Sequence, residues 1–239
     1  RKINRITLLK ELERHAVFNL KIVGDIIKKN RNYTKLVAYR LKKEGLIFEI
    51  ERNKYTTKKN SLIIASNIIW PSYISLWTAF RYYNLTEQLP QTIFLITPKI
   101  KNKNKIIFNN EKIIFIKTKP RYFFGYKKDY LEGYSIFIAE KEKAILDSML
   151  FRKISLLEIF EIIKNNIKNI NISLLIKYAI KIKSKTLLKR IGFILEELNV
   201  NCYDKLKRFI DLKYIPLEYA LSSKGRKNKR WRIIENVKL

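Results

Sequence analysis

Residues 33–55 read YTKLVAYRLKKEGLIFEIERNKY. Val37 and Leu41 stand at helical spacing and fall on one face with Leu36, while Lys35, Tyr39, Lys42 and Lys43 lie largely on the other. The spacing predicts a helix over 34–44 closed by Gly45, because glycine enters the left-handed conformation of a helix end without steric cost. Two short β-prone runs follow, 47–50 and 55–57, joined by the charged turn 51–54. A basic helix stopped by glycine and followed by a small hairpin is how a winged helix-turn-helix reads in one dimension. Upstream, Ile6, Leu8, Leu9 and Leu12 predict a first helix over 6–13. Residues 17–20 form a β-prone run, and Ile22, Val23, Ile26 and Ile27 mark a second helix ending in the polar turn 28–32.

In such an arrangement the N-terminal turn of the last helix enters the major groove. Arg31, Tyr33, Thr34 and Lys35 are therefore expected to meet bases or phosphates, with Tyr39, Lys42 and Lys43 following along the backbone. Arg52, Asn53 and Lys54 in the wing suit phosphates or the neighbouring minor groove. Winged helices also mediate protein contacts, in which case the lysines only solvate a face; the local charge favours DNA.

That charge belongs to a strongly basic chain. The 239 residues hold 51 basic and 21 acidic side chains, a formal net charge of +30, which favours a polyanionic partner. Heavy use of Lys, Ile and Asn is also what an AT-rich genome produces, so part of the excess carries no function. Its distribution is more informative: +11 over residues 1–60, +6 over 61–150 and +13 over 151–239. Codon bias spreads evenly, and this excess sits at the two ends. One cysteine (Cys202) and one histidine (His15) provide neither an intramolecular disulfide nor a Cys/His zinc site. No apolar run approaches a membrane span and no charged-then-apolar leader opens the chain at Arg1, so the expected location is the cytoplasm, away from membranes.

Beyond residue 60 the character changes. Ser75 is a candidate N-cap for a helix in which Leu76, Ala79, Phe80 and Tyr83 share a face, ended by Asn84. Strands are expected at 92–97, 105–108 and 112–117, the last two joined by Asn109-Asn110, because asparagine tolerates the positive φ of a tight turn. An aromatic loop over 122–126, a strand over 134–139 and a helix over 140–150 follow. Ser155 and Glu158 fit a capping box. Helices are expected near 156–165, 173–183, 186–198 and 203–211, then a basic loop over 224–232 leading into a strand around 231–237.

A second basic surface is a candidate in this last third. Lys177 and Lys181 share a helical face, and Lys183, Lys185, Lys189 and Arg190 cluster around the next turn, with Arg226, Lys227, Lys229 and Arg230 beyond. An ordinary solvated face accounts for them equally well. Catalysis finds little support and no cofactor or metal is expected. Glu140, Lys143 and Asp147 on one helical face read as a surface ion network. Asp211-Leu212-Lys213 echoes a metal-dependent nuclease but sits at a helix end rather than on a strand, and no glycine-rich phosphate loop is present.

The run 71–90, PSYISLWTAFRYYNLTEQLP, resembles the signature of AbiE-type antitoxins, the regulators of type IV toxin–antitoxin and abortive-infection systems. Phe123-Phe124-Gly125-Tyr126 is similar to the aromatic-glycine loop of that family, and residues 139–147, AEKEKAILD, to its following helix. Tyr214-Ile215-Pro216-Leu217 and Trp231-Arg232 resemble its C-terminal end. Asn84 stands where glycine is expected, and asparagine tolerates the same conformation. The resemblance spans essentially the whole chain through the order and spacing of these motifs. It implies a transcriptional repressor that binds inverted repeats in its own promoter. It also implies a second domain needed for antitoxin activity against a nucleotidyltransferase-like toxin, without a stable complex between the two.

The expected fold class is α+β: an N-terminal winged helix-turn-helix over 1–62, then an antitoxin-type domain over 63–239, with a mixed α/β part (63–150) and a helical extension bearing a late strand (151–239). The rival reading, from another class, is a non-specific nucleic-acid-binding or metal-dependent nuclease-like defence protein.

Overall fold

Asparagine opens five of the helices. Asn4, Asn19, Asn30, Asn60 and Asn171 each accept a backbone N–H of the following first turn through the side-chain oxygen, satisfying donors that a helix start leaves orphaned. The computed structural model describes residues 4–239 and is a mixed α+β fold. Two compact units are present, and the chain passes between them several times: residues 4–74, 91–119 and 128–138 form one, and residues 75–90, 120–127 and 139–239 the other.

The first unit begins with α1 (Arg5–Leu12), α2 (Leu20–Ile27) and α3 (Arg31–Lys43), followed by the antiparallel hairpin β1 (Phe48–Glu51) and β2 (Lys54–Thr56). Leu8, Leu12, Phe18, Val23, Ala38, Leu41 and Ile47 are buried together between them. Gly45 ends α3 with φ +70°, its N–H donating to the Lys42 carbonyl while the Leu46 N–H reaches the Leu41 carbonyl. That is the paired hydrogen-bond pattern of a Schellman cap. The β-prone run expected at 17–20 is reduced to one bridge, in which Phe18 exchanges both backbone hydrogen bonds with Tyr55 (2.9 and 2.8 Å). Helix α2 takes over at Leu20 because Asn19 caps it there.

The same unit holds most of a six-stranded sheet. Its strands are β3 (Tyr73–Ser75), β4 (Thr92–Thr97), β5 (Lys105–Phe108), β6 (Glu111–Lys117), β7 (Tyr126–Leu131) and β8 (Tyr134–Ala139), in the order β5-β6-β4-β3-β8-β7. Strand β4 runs parallel to β6, β3 parallel to β8, and β5 antiparallel to β6. Asn109 and Asn110 turn the last pair at φ +47° and +64°, the conformation their side chains tolerate. Helix α4 (Ser61–Ile68), SLIIASNI, lacks the periodicity of an amphipathic helix because nearly every side chain in it is buried.

The second unit is mainly helical: α5 (Leu76–Tyr82), α6 (Lys141–Phe151), α7 (Leu156–Asn165), α8 (Ile172–Ile182), α9 (Lys185–Glu197) and α10 (Tyr203–Leu206). Ser155 and Glu158 complete the capping box at the start of α7. The helix expected over 203–211 is one short turn followed by a 3-10 turn at Lys207–Phe209. A three-stranded sheet closes the chain, β9 (Ile215–Pro216), β10 (Arg226–Asn228) and β11 (Ile233–Glu235), with β11 central; β10 falls where a basic loop was expected. Trp231 is fully buried against Gly192 of α9, where an added Cβ would lie 2.1 Å from the indole ring. The α6 charges do not form the surface network expected from their spacing. Lys143 and Asp147 are fully buried and paired, and Asp147 also accepts from the Ser75 hydroxyl at 2.9 Å. Among the described residues no helix is long and apolar enough to cross a membrane.

Candidate nucleic-acid interface

Helix α3 is anchored along one side and open along the other. Thr34, Ala38 and Leu41 are buried, at the i, i+4, i+7 spacing that keeps one stripe of a helix turned inward. The Thr34 hydroxyl donates to the Asn30 carbonyl at 2.9 Å, and α2 comes close through Gly24, where an added Cβ would stand 3.2 Å from that hydroxyl oxygen. Thr34 is 2% exposed, so the expectation that it contacts a base is corrected: its hydroxyl joins the start of α3 to its own cap.

Outside that stripe α3 meets solvent with Arg31, Asn32, Tyr33, Lys35, Leu36, Tyr39, Arg40, Lys42 and Lys43. Leu36 is 42% exposed and does not share the inward face with Leu41, which corrects its placement from the sequence. Five residues separate the two, about 140° around a helix of 3.6 residues per turn. Asn32, Leu36 and Arg40 were missed as surface candidates. The signal that could have found them is their position across the helical wheel from the stripe of Thr34, Ala38 and Leu41, masked at Leu36 by its apolar side chain. Lys42 forms an ion pair with Glu49 of β1, and that hydrogen bond raises its pKa. Part of its charge is therefore neutralised within the protein.

The hairpin tip divides its three candidates. Asn53 takes φ +61° in the turn, and its side-chain oxygen accepts the Leu20 N–H at 3.1 Å, tying the tip to the first turn of α2. Lys54 donates to the Ile68 carbonyl at 2.7 Å and pairs with Glu51 at 2.9 Å, so it braces the hairpin. Arg52 is exposed. A cleft of about 670 Å³ lined by Lys21, Lys28, Lys29, Arg31, Asp25 and Asn53 separates the tip from the start of α3. Leu20, Gly24 and Thr34 complete the lining, and its four cations against one carboxylate make the cleft electropositive.

The second candidate surface is rearranged. Lys177 and Lys181 of α8 are exposed, and the Lys181 ammonium stands 4.2 Å from the Phe124 ring centroid. Lys185 is exposed and 3.4 Å from Asp211. Lys189 and Arg190 are not on a surface at all. Lys189 is 1% exposed, pairs with Asp211 at 2.5 Å and donates to the Lys213 carbonyl. Arg190 donates to the carbonyls of Leu217 (3.0 Å) and Pro216 (2.9 Å), and burial pulls its pKa down to about 10. The Lys189 hydrogen bond holds Asp211 below the usual carboxylate range. The tail is exposed as well, with Lys224, Arg226, Lys227, Lys229 and Arg230 on and around β10. Arg230 lies 4.3 Å over the Tyr203 ring and Lys227 5.4 Å over Tyr214.

Among the described residues no group of three or more His, Cys, Asp or Glu side chains could hold a metal ion. No protein-family model matches this chain, and no curated protein matches it either.

Proposed function

We propose that this chain is a sequence-specific, double-stranded DNA-binding transcriptional repressor, and that residues 1–62 act as a winged helix-turn-helix with α3 as its recognition helix. One observation carries the reading: α3 buries a single stripe and turns Arg31, Tyr33, Lys35, Tyr39, Arg40 and Lys43 to solvent together. A helix held from behind and cationic in front can enter the major groove and contact both groove walls. The hairpin tip supplies Arg52 as a flanking contact, and Asn53 fixes the tip at the start of α2. A mobility shift with the duplex upstream of the protein's own reading frame tests this. Binding should be at least about 1,000-fold tighter than to a scrambled duplex at moderate salt, and equal affinity for the two would sink the specific-repressor reading.

The resemblance over 71–90 and 139–147 extends the proposal. The protein represses its own operon from inverted repeats and serves, through residues 63–239, as the antitoxin of a type IV abortive-infection system in the cytoplasm. The toxin is a nucleotidyltransferase-like protein opposed without a stable complex. Co-expression should restore growth to cells poisoned by the neighbouring gene product, and failure to do so would remove the antitoxin role.

The exposed tail cations favour a second reading, non-specific nucleic-acid binding by a nuclease-like protein. Asp211, the acid such a reading needs, is occupied by Lys185 and Lys189. Plasmid incubated with magnesium should therefore stay intact; cleavage abolished by Asp211→Ala would establish the rival.

A further inference from the structure

Over its first two turns the outermost line of α3 is not basic; Lys43 continues that line only in the last turn. Ala38 and Leu41 mark the inward side, and at about 100° per residue Asn32 and Leu36 fall almost diametrically opposite. Four residues apart, they stand one above the other in the first two turns, on the end of the helix that a major groove receives. Leu36 is 42% exposed, with Tyr33 at 46% and Tyr39 at 63% beside it. Lys35 sits about 100° round the helix from Leu36, and Arg40 and Lys43 lie one to two turns further along. At the N-terminal end of the helix the centre of the outer face is thus amide and apolar, with cations beside and beyond it.

A surface that only held phosphates would gain nothing from that centre, because phosphate oxygens reward donors and cations. In the major groove an A·T pair differs from a G·C pair by two features. One is the thymine C5-methyl group, an apolar knob; the other is the adenine N7 acceptor beside the N6 donor, which a side-chain amide meets with two hydrogen bonds. Leucine and asparagine are complementary to those two features. Guanine is read best by arginine or lysine at the centre of the face, the place these two residues occupy.

Resting on the DNA-binding reading above, we infer that α3 recognises A·T base pairs, with Leu36 against a thymine methyl group and Asn32 against the adjacent adenine edge. The flanking Lys35, Arg40 and Lys43 then hold the groove walls.

The test begins by selecting duplexes from a random pool with the full chain. The enriched site should contain A·T pairs at its core. Replacing thymine by uracil at the contacted position, which deletes only the methyl group, should weaken binding by the wild-type protein about four-fold. Replacing adenine by 7-deazaadenine should weaken it about ten-fold. Leu36→Ala should bind the thymine and uracil duplexes equally, and Asn32→Ala should do the same for the adenine pair. Both side chains are exposed, and the base analogues are read with unaltered protein, so loss of folding cannot imitate these results. An enriched sequence whose affinity ignores both analogues overturns this inference and leaves the DNA-binding reading standing. A pool with no enriched sequence overturns both.

Discussion

Helices α3 and α9 look alike on paper and behave in opposite ways. Each is 13 residues long, each mixes Lys and Arg with leucines at helical spacing, and each is opened by a small polar cap. In α3 the cations face water, and in α9 Lys189 and Arg190 are turned inward. The difference lies in what arrives from elsewhere in the chain. The segment around β9 lays the carbonyls of Lys213, Pro216 and Leu217 and the carboxylate of Asp211 against α9. Those acceptors offset the cost of desolvating two cations, which would otherwise exclude them from the interior. Among the described residues no such segment covers the outer face of α3, whose side chains stay exposed. A basic helix is therefore a binding surface only where its charges lack acceptors of their own.

The largest effect should come from removing that internal satisfaction. Lys189→Ala or Arg190→Ala leaves a carboxylate or two carbonyls without their buried donor, and each should cost about 3 kcal/mol of stability. Urea denaturation measures it, and the salt dependence of DNA binding should not change. A stable Lys189 variant with weakened DNA binding would break the contrast between the helices.

On α3 the reverse pattern is expected. Lys35→Ala should leave stability within about 0.5 kcal/mol of the parent and flatten the log–log salt dependence of DNA binding by about one unit. Lys42→Ala should flatten it less, since Glu49 already neutralises part of that charge. Equal slopes for the two variants would show that the Glu49 pair opens on binding, which sharpens the comparison by placing Lys42 among the phosphate contacts.

The smallest effect is in pH. The Glu49 hydrogen bond raises the Lys42 pKa above that of the unfolded chain, so its contribution is fully present below about pH 10.5 and fades as pH rises through the folded value. The pair is solvated and screened, which keeps the contribution small. Denaturation midpoints of the parent and Lys42→Met should differ slightly near about pH 9 and draw together as the pH rises beyond the unfolded lysine value. A gap that widens with pH would assign the stabilisation to something other than the ion pair.

The local features could be read from the residues. Gly45 as the left-handed end of α3, Asn84 in the same conformation at φ +55°, the Asn109-Asn110 turn and the Ser155–Glu158 box all follow from chemistry within a few residues. Strands β4, β5 and β8 were legible for the same reason. Helix α4 was not, because a segment buried all round has no periodicity to read. Strand β3 is three residues long and pairs in parallel with a strand sixty residues later, a partner that no local pattern names. In the candidate site Arg31, Tyr33, Lys35, Tyr39, Lys43 and Arg52 lie exposed as expected. Thr34 was misread because a hydroxyl suits a base or a cap equally, and Leu36 because an apolar side chain is usually inside.

By itself the sequence determined where most helices start and stop, how two hairpins turn and where the positive charge concentrates. Caps, turns and side-chain periodicity are interactions between near neighbours, and they act wherever the segment ends up. Only the tertiary structure decided which charged groups are surface and which are framework. It buried Lys143 with Asp147, turned Lys189 and Arg190 onto the segment around β9, and left Leu36 in water. Burial of a charge depends on acceptors brought from distant parts of the chain, and nothing in a helix's own residues says whether they will come.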